Sequence, residues 1–129
     1  MARTDQVYIG RRGEFLAAYI LECHGIRTTH VDLPHDDLWC HAPNGDLIRV
    51  QVKSTLCPRN YSTDRNIKKY HFKINSAVPY QGIYIFCALD QHLVLAFKRD
   101  DTGQKSIKLN PDCFTREAQD ESIRKAFLL

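Results

Sequence analysis

The chain has 129 residues, a formal net charge of +3 and a pI near 8.6. With 43% hydrophobic, 10% aromatic and 26% charged residues it has the composition of a folded globular domain, which excludes a disordered, collagen-like or coiled-coil chain. No apolar run approaches the roughly 18 residues of a membrane span, and residues 1–6 lack the apolar stretch of a secretory signal, so a single cytoplasmic domain over residues 1–129 is expected.

Residues 5–24 read as a helix, with Thr4 or Asp5 as the cap and Gly25 as the C-terminal stop. Gly10 and Gly13 lie inside it, each costing about 1 kcal/mol relative to Ala, so they mark either a close backbone approach or a helix that starts later, near Arg12. Residues 27–33 read as a strand. Leu38–Ala42 and Asp46–Lys53 flank Pro43-Asn44-Gly45 and read as a β-hairpin. The polar stretch 54–68 reads as a loop. Strands follow near 69–74, 82–89, 92–99 and 105–109, with a turn at Asp90-Gln91. Asn110-Pro111 precedes a closing helix over 115–127. Helix, mostly antiparallel or mixed strands, then helix gives an α+β (mixed α/β) class.

The five cysteines, Cys23, Cys40, Cys57, Cys87 and Cys113, are odd in number and never spaced as CxxC, which argues against a disulfide framework or a zinc site. Cys23, Cys40 and Cys87 lie in apolar runs and read as small buried hydrophobes.

The hairpin register carries the most information. A two-residue Asn44-Gly45 loop would put Pro43, which has no N–H, at a ladder position. A three-residue loop places Pro43 and Asn44 at the centre of a type I turn and Gly45 in the left-handed bulge position. Ala42 then faces Asp46, and Asp37 faces Gln51. One face of the hairpin becomes Leu38, Cys40, Ala42, Ile48, Val50 and Val52, wholly apolar. The other carries Asp37, Trp39, His41, Leu47, Arg49, Gln51 and Lys53. Asp37, Gln51 and Lys53 therefore converge, with Asp36 the alternative carboxylate. Glu14 shares a helical stripe with Ala17, Ala18 and Leu21, so its carboxylate is turned away from the solvated side, either paired with Arg11 or Lys53 or facing a cation.

The ordered series Gly13-Glu14-Phe15-Leu16-Ala17-Ala18, Gly25-Ile26, Asp37-Leu38 and Val50-Gln51-Val52-Lys53-Ser54 resembles the PD-(D/E)xK nuclease superfamily, which includes restriction endonucleases, Holliday junction resolvases and some homing endonucleases. The resemblance covers residues 8–55, while 69–109 match only as generic strands. Residues 47–54 look most like a small branch with QxK, whose nearest group is a bacterial intron-encoded homing endonuclease. It implies a restriction-endonuclease-like core, encoded by a bacterium or phage, with Glu14, Asp37, Gln51 and Lys53 as catalytic residues. Glu14, Asp37, the Gln51 amide and the Val52 carbonyl would hold Mg²⁺, with Mn²⁺ as a substitute. Gln51 stands where the superfamily usually has Glu or Asp, which removes one negative charge from the metal site.

The charge distribution points the same way. Residues 49–73 carry seven Lys and Arg against Asp64 alone, a surplus of six, which leaves the rest of the chain at −3. Arg49, Arg59, Arg65, Lys68 and Lys69 are the expected contacts to DNA phosphates. The resulting expectation is an Mg²⁺-dependent endonuclease making homing-type double-strand cuts. The alternatives are a Holliday junction resolvase and a non-catalytic DNA-binding domain with a degenerate site. One chain holds one site, so cutting double-stranded or branched DNA on both strands calls for a homodimer or homotetramer.

Overall fold

A computed structural model describes residues 5–62, 67–74, 80–98 and 106–129. Helix α1 (Gln6–Cys23) is followed by β1 (Arg27–His30), β2 (Leu38–His41), β3 (Leu47–Thr55), β4 (Arg59–Ser62), β5 (Ile67–Lys73), β6 (Ile83–Ala88), β7 (Leu93–Lys98) and β8 (Ser106–Leu109). A short 3₁₀ turn (Pro111–Cys113) leads into α2 (Arg116–Ala126). The class is α+β. A five-stranded sheet runs in the order β1-β2-β3-β6-β7, and a three-stranded sheet in the order β4-β5-β8. All pairings are antiparallel except β3 with β6.

Helix α1 runs unbroken through Gly10 and Gly13, so the later start near Arg12 does not occur. Asp5 occupies the N-cap position without a side-chain capping bond, Thr4 lies outside the described residues, and Gly25 ends the helix at φ +79°. Thr115 caps α2 by accepting from the Ala118 N–H at 3.0 Å. The hairpin has the three-residue loop. Gly45 N–H donates to the Ala42 carbonyl at 2.9 Å, Ala42 N–H to Asp46 at 3.0 Å, and Gly45 has φ +93°.

The 54–68 stretch is not one loop. β3 runs on to Thr55, Arg59–Ser62 form β4, and β5 already begins at Ile67. These polar residues become strand because Arg59 pairs with Lys69 and Asn60 with Lys68 ahead of a bulge between Asn60 and Ser62, a non-local pairing that local composition does not encode. Cys40 and Cys87 are buried as expected, whereas Cys23 is exposed at the end of α1.

β6 is buried along its whole length because both faces are covered. Ile83, Ile85 and Cys87 join Val50, Val94 and Ala96 against Ala17 and Leu21 of α1 and Ile123 of α2. The alternate residues Tyr84, Phe86 and Ala88 meet Tyr70, Phe72 and Ile74 of the second sheet, with Phe114 stacked edge-on against Tyr70. Helices thus cover one face of the large sheet and the three-stranded sheet covers the other. Helix α2 also closes the edge of β7. The Val94 N–H donates to Gln119 Oε1 and the Ala96 N–H to Ser122 Oγ, each at 3.0 Å. Among the described residues no helix is long and apolar enough to cross a membrane.

Candidate active site

Strand β3 carries Gln51, Val52 and Lys53, and the hairpin brings Asp37 to its edge. The hairpin ladder pairs His41 with Leu47, Trp39 with Arg49 and Leu38 with Val50, the register read from the sequence. At its end the Asp37 N–H donates to the Val50 carbonyl at 2.9 Å. The Asp37 side chain then turns across the strand, and Oδ2 accepts the Val52 N–H at 2.8 Å. The N–H and C=O of one strand residue project to the same edge, so the Val52 carbonyl also faces the Asp37 edge. Gln51 and Lys53 flank Val52, both half-buried, and share the face whose neighbours on β6 are Tyr84 and Phe86.

Glu14 arrives from the other side, on α1. Gly13 is buried against β3, where a Cβ would overlap Ser54 Oγ and stand 2.8 Å from Ser54 Cβ. Only glycine lets the helix backbone approach this closely, and the approach delivers Glu14, half-buried, to the strand that carries Gln51 and Lys53.

Electrostatics couple Asp37 to Glu14 and to Lys53. Burial raises the Glu14 carboxyl above its ordinary range, the Asp37 charge adds to this, and Arg11 opposes it. Burial likewise raises Asp37, against the Val52 N–H and the Lys53 charge. The Lys53 ammonium is lowered by burial, while Asp37 pulls it back up. Asp37 therefore sits between a like charge and an opposite one.

Asp36 has different surroundings. It is 5% exposed, and it accepts from Tyr80 OH at 2.7 Å, Trp39 Nε1 at 2.9 Å and Arg49 Nε at 2.9 Å. Burial alone would raise its carboxyl, but bonds from Arg49, Trp39 and Tyr80 outweigh this and lower it. Arg49 also lies over the Tyr80 ring at 5.4 Å. Arg49, expected as a phosphate contact, is thus first the partner of Asp36, with 44% of its side chain still exposed. Tyr80, which closes this network, carried no signal in the sequence, because it lies 44 residues from Asp36.

The expected DNA contacts separate. Arg59 is exposed on β4, Lys68 and Lys69 are adjacent on β5 and so project to opposite faces, and Arg65 lies outside the described residues. Among the described residues no three His, Cys, Asp or Glu side chains gather as a metal-holding group. The oxygens singled out in the sequence are the Glu14 and Asp37 carboxylates, the Gln51 amide and the Val52 carbonyl, while the Asp36 carboxylate is engaged by Arg49, Trp39 and Tyr80.

No family model matches the chain, and no curated protein matches it by sequence. Among solved structures, the fold is similar to that of a homing endonuclease. One match is to the bacterial homing endonuclease I-Ssp6803I, with a TM-score of 0.65 and 16% identity, covering 84% of this chain and 77% of that one. At that identity the likeness is one of fold.

Proposed function

We propose that the chain is a metal-dependent DNA endonuclease of the PD-(D/E)xK type, making homing-type double-strand cuts. The observation that supports this reading is the electrostatic coupling of Asp37, just before β2, to Glu14 of α1 and to Lys53 of β3, within a fold similar to that of a homing endonuclease.

The donors suit a hard cation. Glu14, Asp37, the Gln51 amide and the Val52 carbonyl offer only oxygen, which favours Mg²⁺ with Mn²⁺ as substitute. Two partly buried carboxylates, Glu14 raised further by the Asp37 charge, are what such a cation would neutralise. When bound, Mg²⁺ polarises the scissile phosphate and lowers the pKa of water. Asp37 is aimed by its bond to the Val52 N–H, so its free oxygen has a fixed direction. Lys53, whose charged form the Asp37 carboxylate favours, orients the attacking water and stabilises negative charge on the phosphate. Gln51 supplies an oxygen without a charge. Each chain carries one such cluster, so cutting both strands requires two copies, as a homodimer or homotetramer.

The test is Mg²⁺-dependent cleavage of plasmid, linear duplex and a synthetic four-way junction. Glu14→Gln and Lys53→Ala are each expected to slow cleavage about 10²–10³-fold, as for removal of a transition-state stabilising group. Preference for the junction would redirect the reading to a resolvase. Unchanged cleavage by both variants would end the catalytic assignment, and DNA binding without any cleavage would favour the non-catalytic alternative.

A further inference from the structure

The three-stranded sheet has two unlike faces. Tyr70, Phe72 and Ile74 point inward and pack with Tyr84 and Phe86 of β6. The alternate residues of β5 point the other way. Register places Arg59 of β4 beside Lys69, Lys108 of β8 beside His71, and Ser106 beside Lys73. Arg59, Lys69, His71, Lys73 and Lys108 therefore share the outer face, with Arg59, Lys73 and Lys108 exposed and Lys69 and His71 partly so. No described residue of these three strands is acidic. The same arrangement disfavours the His71 imidazolium, first by burial and then by Lys108, Arg59 and Lys73, one from each strand.

This sheet packs on the side of the large sheet that carries Gln51 and Lys53. Gln51 is the β6 neighbour of Tyr84 and Lys53 that of Phe86, and both aromatics lie against β5. Only residues 56–58 separate β3 from Arg59.

We infer that the outer face of β4-β5-β8 is the docking surface for the backbone of a DNA duplex. This rests on the nuclease reading and adds what the sequence does not contain: Lys73, His71 and Lys108 belong to the surface, and Lys69 does while its neighbour Lys68 does not. Four permanent cations with no intervening acid in the described strands match a polyanion with regularly spaced phosphates, and an antiparallel sheet holds them at fixed spacing.

The experiment is fluorescence anisotropy of a labelled duplex with the full chain in EDTA, from 50 to 200 mM KCl. Without metal there is no cleavage, so binding is read apart from catalysis. Lys69→Ala, Lys73→Ala and Lys108→Ala are each expected to flatten the slope of log K against log salt by about 0.9, roughly a 3.5-fold change in affinity across that range. Lys68→Ala is expected to change the slope less than Lys69→Ala, and Lys125→Ala, exposed on α2, to leave it unchanged. Thermal unfolding of each variant checks folding, and Lys73→Glu gives a second, larger perturbation on the same face. Equal slopes for Lys68→Ala and Lys69→Ala, or no change with Lys73→Glu, would overturn the assignment while leaving cleavage by Glu14 and Lys53 intact. The expected slopes in a chain that never cleaves would sustain the docking face and remove the nuclease reading. No binding by the unaltered chain would overturn the docking face directly.

Discussion

Gly13 of α1 and Ser54 of β3 meet with no room for a side chain between them. A methyl group on Gly13 would overlap Ser54 Oγ and stand 2.8 Å from Ser54 Cβ. The next helix residue is Glu14 and the preceding strand residue is Lys53, so this contact sets the distance between the two halves of the candidate site.

Gly13→Ala is therefore expected to impair both stability and cleavage. Alanine gains about 1 kcal/mol of helix propensity, but overpacking costs about 1–3 kcal/mol, and a shift of α1 by a fraction of an ångström displaces Glu14. Second-site changes should restore function in order of size removed. Ser54→Ala removes the hydroxyl overlap but leaves the 2.8 Å contact with the residue 54 Cβ, and Ser54→Gly removes both. Ser54→Ala alone should be close to neutral, because its buried Oγ makes no well-formed hydrogen bond, although the Cys87 thiol is close enough to interact. Urea unfolding and plasmid nicking on the single and double variants check this, and a fully active, fully stable Gly13→Ala would refute it.

The adjacent aspartates should separate cleanly. Asp36 holds Trp39, Arg49 and Tyr80, so Asp36→Ala leaves the buried Tyr80 hydroxyl without its acceptor and is expected to cost about 2–4 kcal/mol. Because the Asp36 carboxyl is held low in the folded state, its contribution is present above the ordinary carboxyl value and is lost as pH falls through the folded value. Asp37→Asn should instead spare stability and abolish cleavage. Denaturant midpoints from pH 3 to pH 8 distinguish the two, and an Asp36→Ala protein as stable as the parent would remove the anchoring role.

How legible these features were follows from where their determinants lie. The Asp37–Gln51 register was readable because Pro43, Asn44 and Gly45 fix the turn and the alternation of Cys40, Ile48 and Val50 fixes the buried face, all within one hairpin. Glu14 was readable because helical spacing sets it beside Ala17, Ala18 and Leu21, which are buried. In the second sheet β5 and β8 were readable as strands near 69–74 and 105–109, but β4 and the pairing of the three were not. Arg59 and Asn60 become strand only by pairing with Lys69 and Lys68, and β5 takes its other partner from residues 106–109. The inward Tyr70 and Phe72 against outward Lys69, His71 and Lys73 was the available signal, a period of two that marks a strand with one wet face. Tyr80 gave none, because its role exists only once the hairpin and β6 are side by side.

The raised carboxyl of Glu14 makes a prediction about stability without metal. A folded-state value above the ordinary 4.5 means that its contribution is full below the unfolded value and is lost as pH rises through the folded one. At pH 8 in EDTA the charged Glu14 therefore destabilises the fold, and Glu14→Gln is expected to melt above the parent. At pH 4 the parent is largely protonated there and the two should converge. Added Mg²⁺ should reverse the order at pH 8, since a ligand binding the folded state stabilises by mass action and the parent binds it better. Melting curves at both pH values, with and without Mg²⁺, decide it. A Glu14→Gln protein less stable than the parent in EDTA at pH 8 would show the carboxylate to be a structural partner, of Arg11 in the first place.

Gln51 tests the charge balance from the opposite direction. It lies between Val50, whose carbonyl binds the Asp37 N–H, and Val52, whose N–H binds the Asp37 carboxylate. Gln51→Glu keeps the length and the oxygen and adds one negative charge beside Asp37. Coulomb attraction at contact distance in a partly screened site predicts Mg²⁺ binding tighter by about tenfold, which calorimetric titration reads without any cleavage assay. The same charge repels Asp37 and Glu14 when no cation is present, so unfolding in EDTA at pH 8 should occur at lower denaturant than for the parent. The two effects must appear together, because both arise from the introduced carboxylate lying within reach of the others. Unchanged Mg²⁺ affinity with unchanged metal-free stability would place the position 51 side chain outside the cluster. The charge missing at Gln51 would then be irrelevant to the site, and its donors would reduce to Glu14, Asp37 and the Val52 carbonyl.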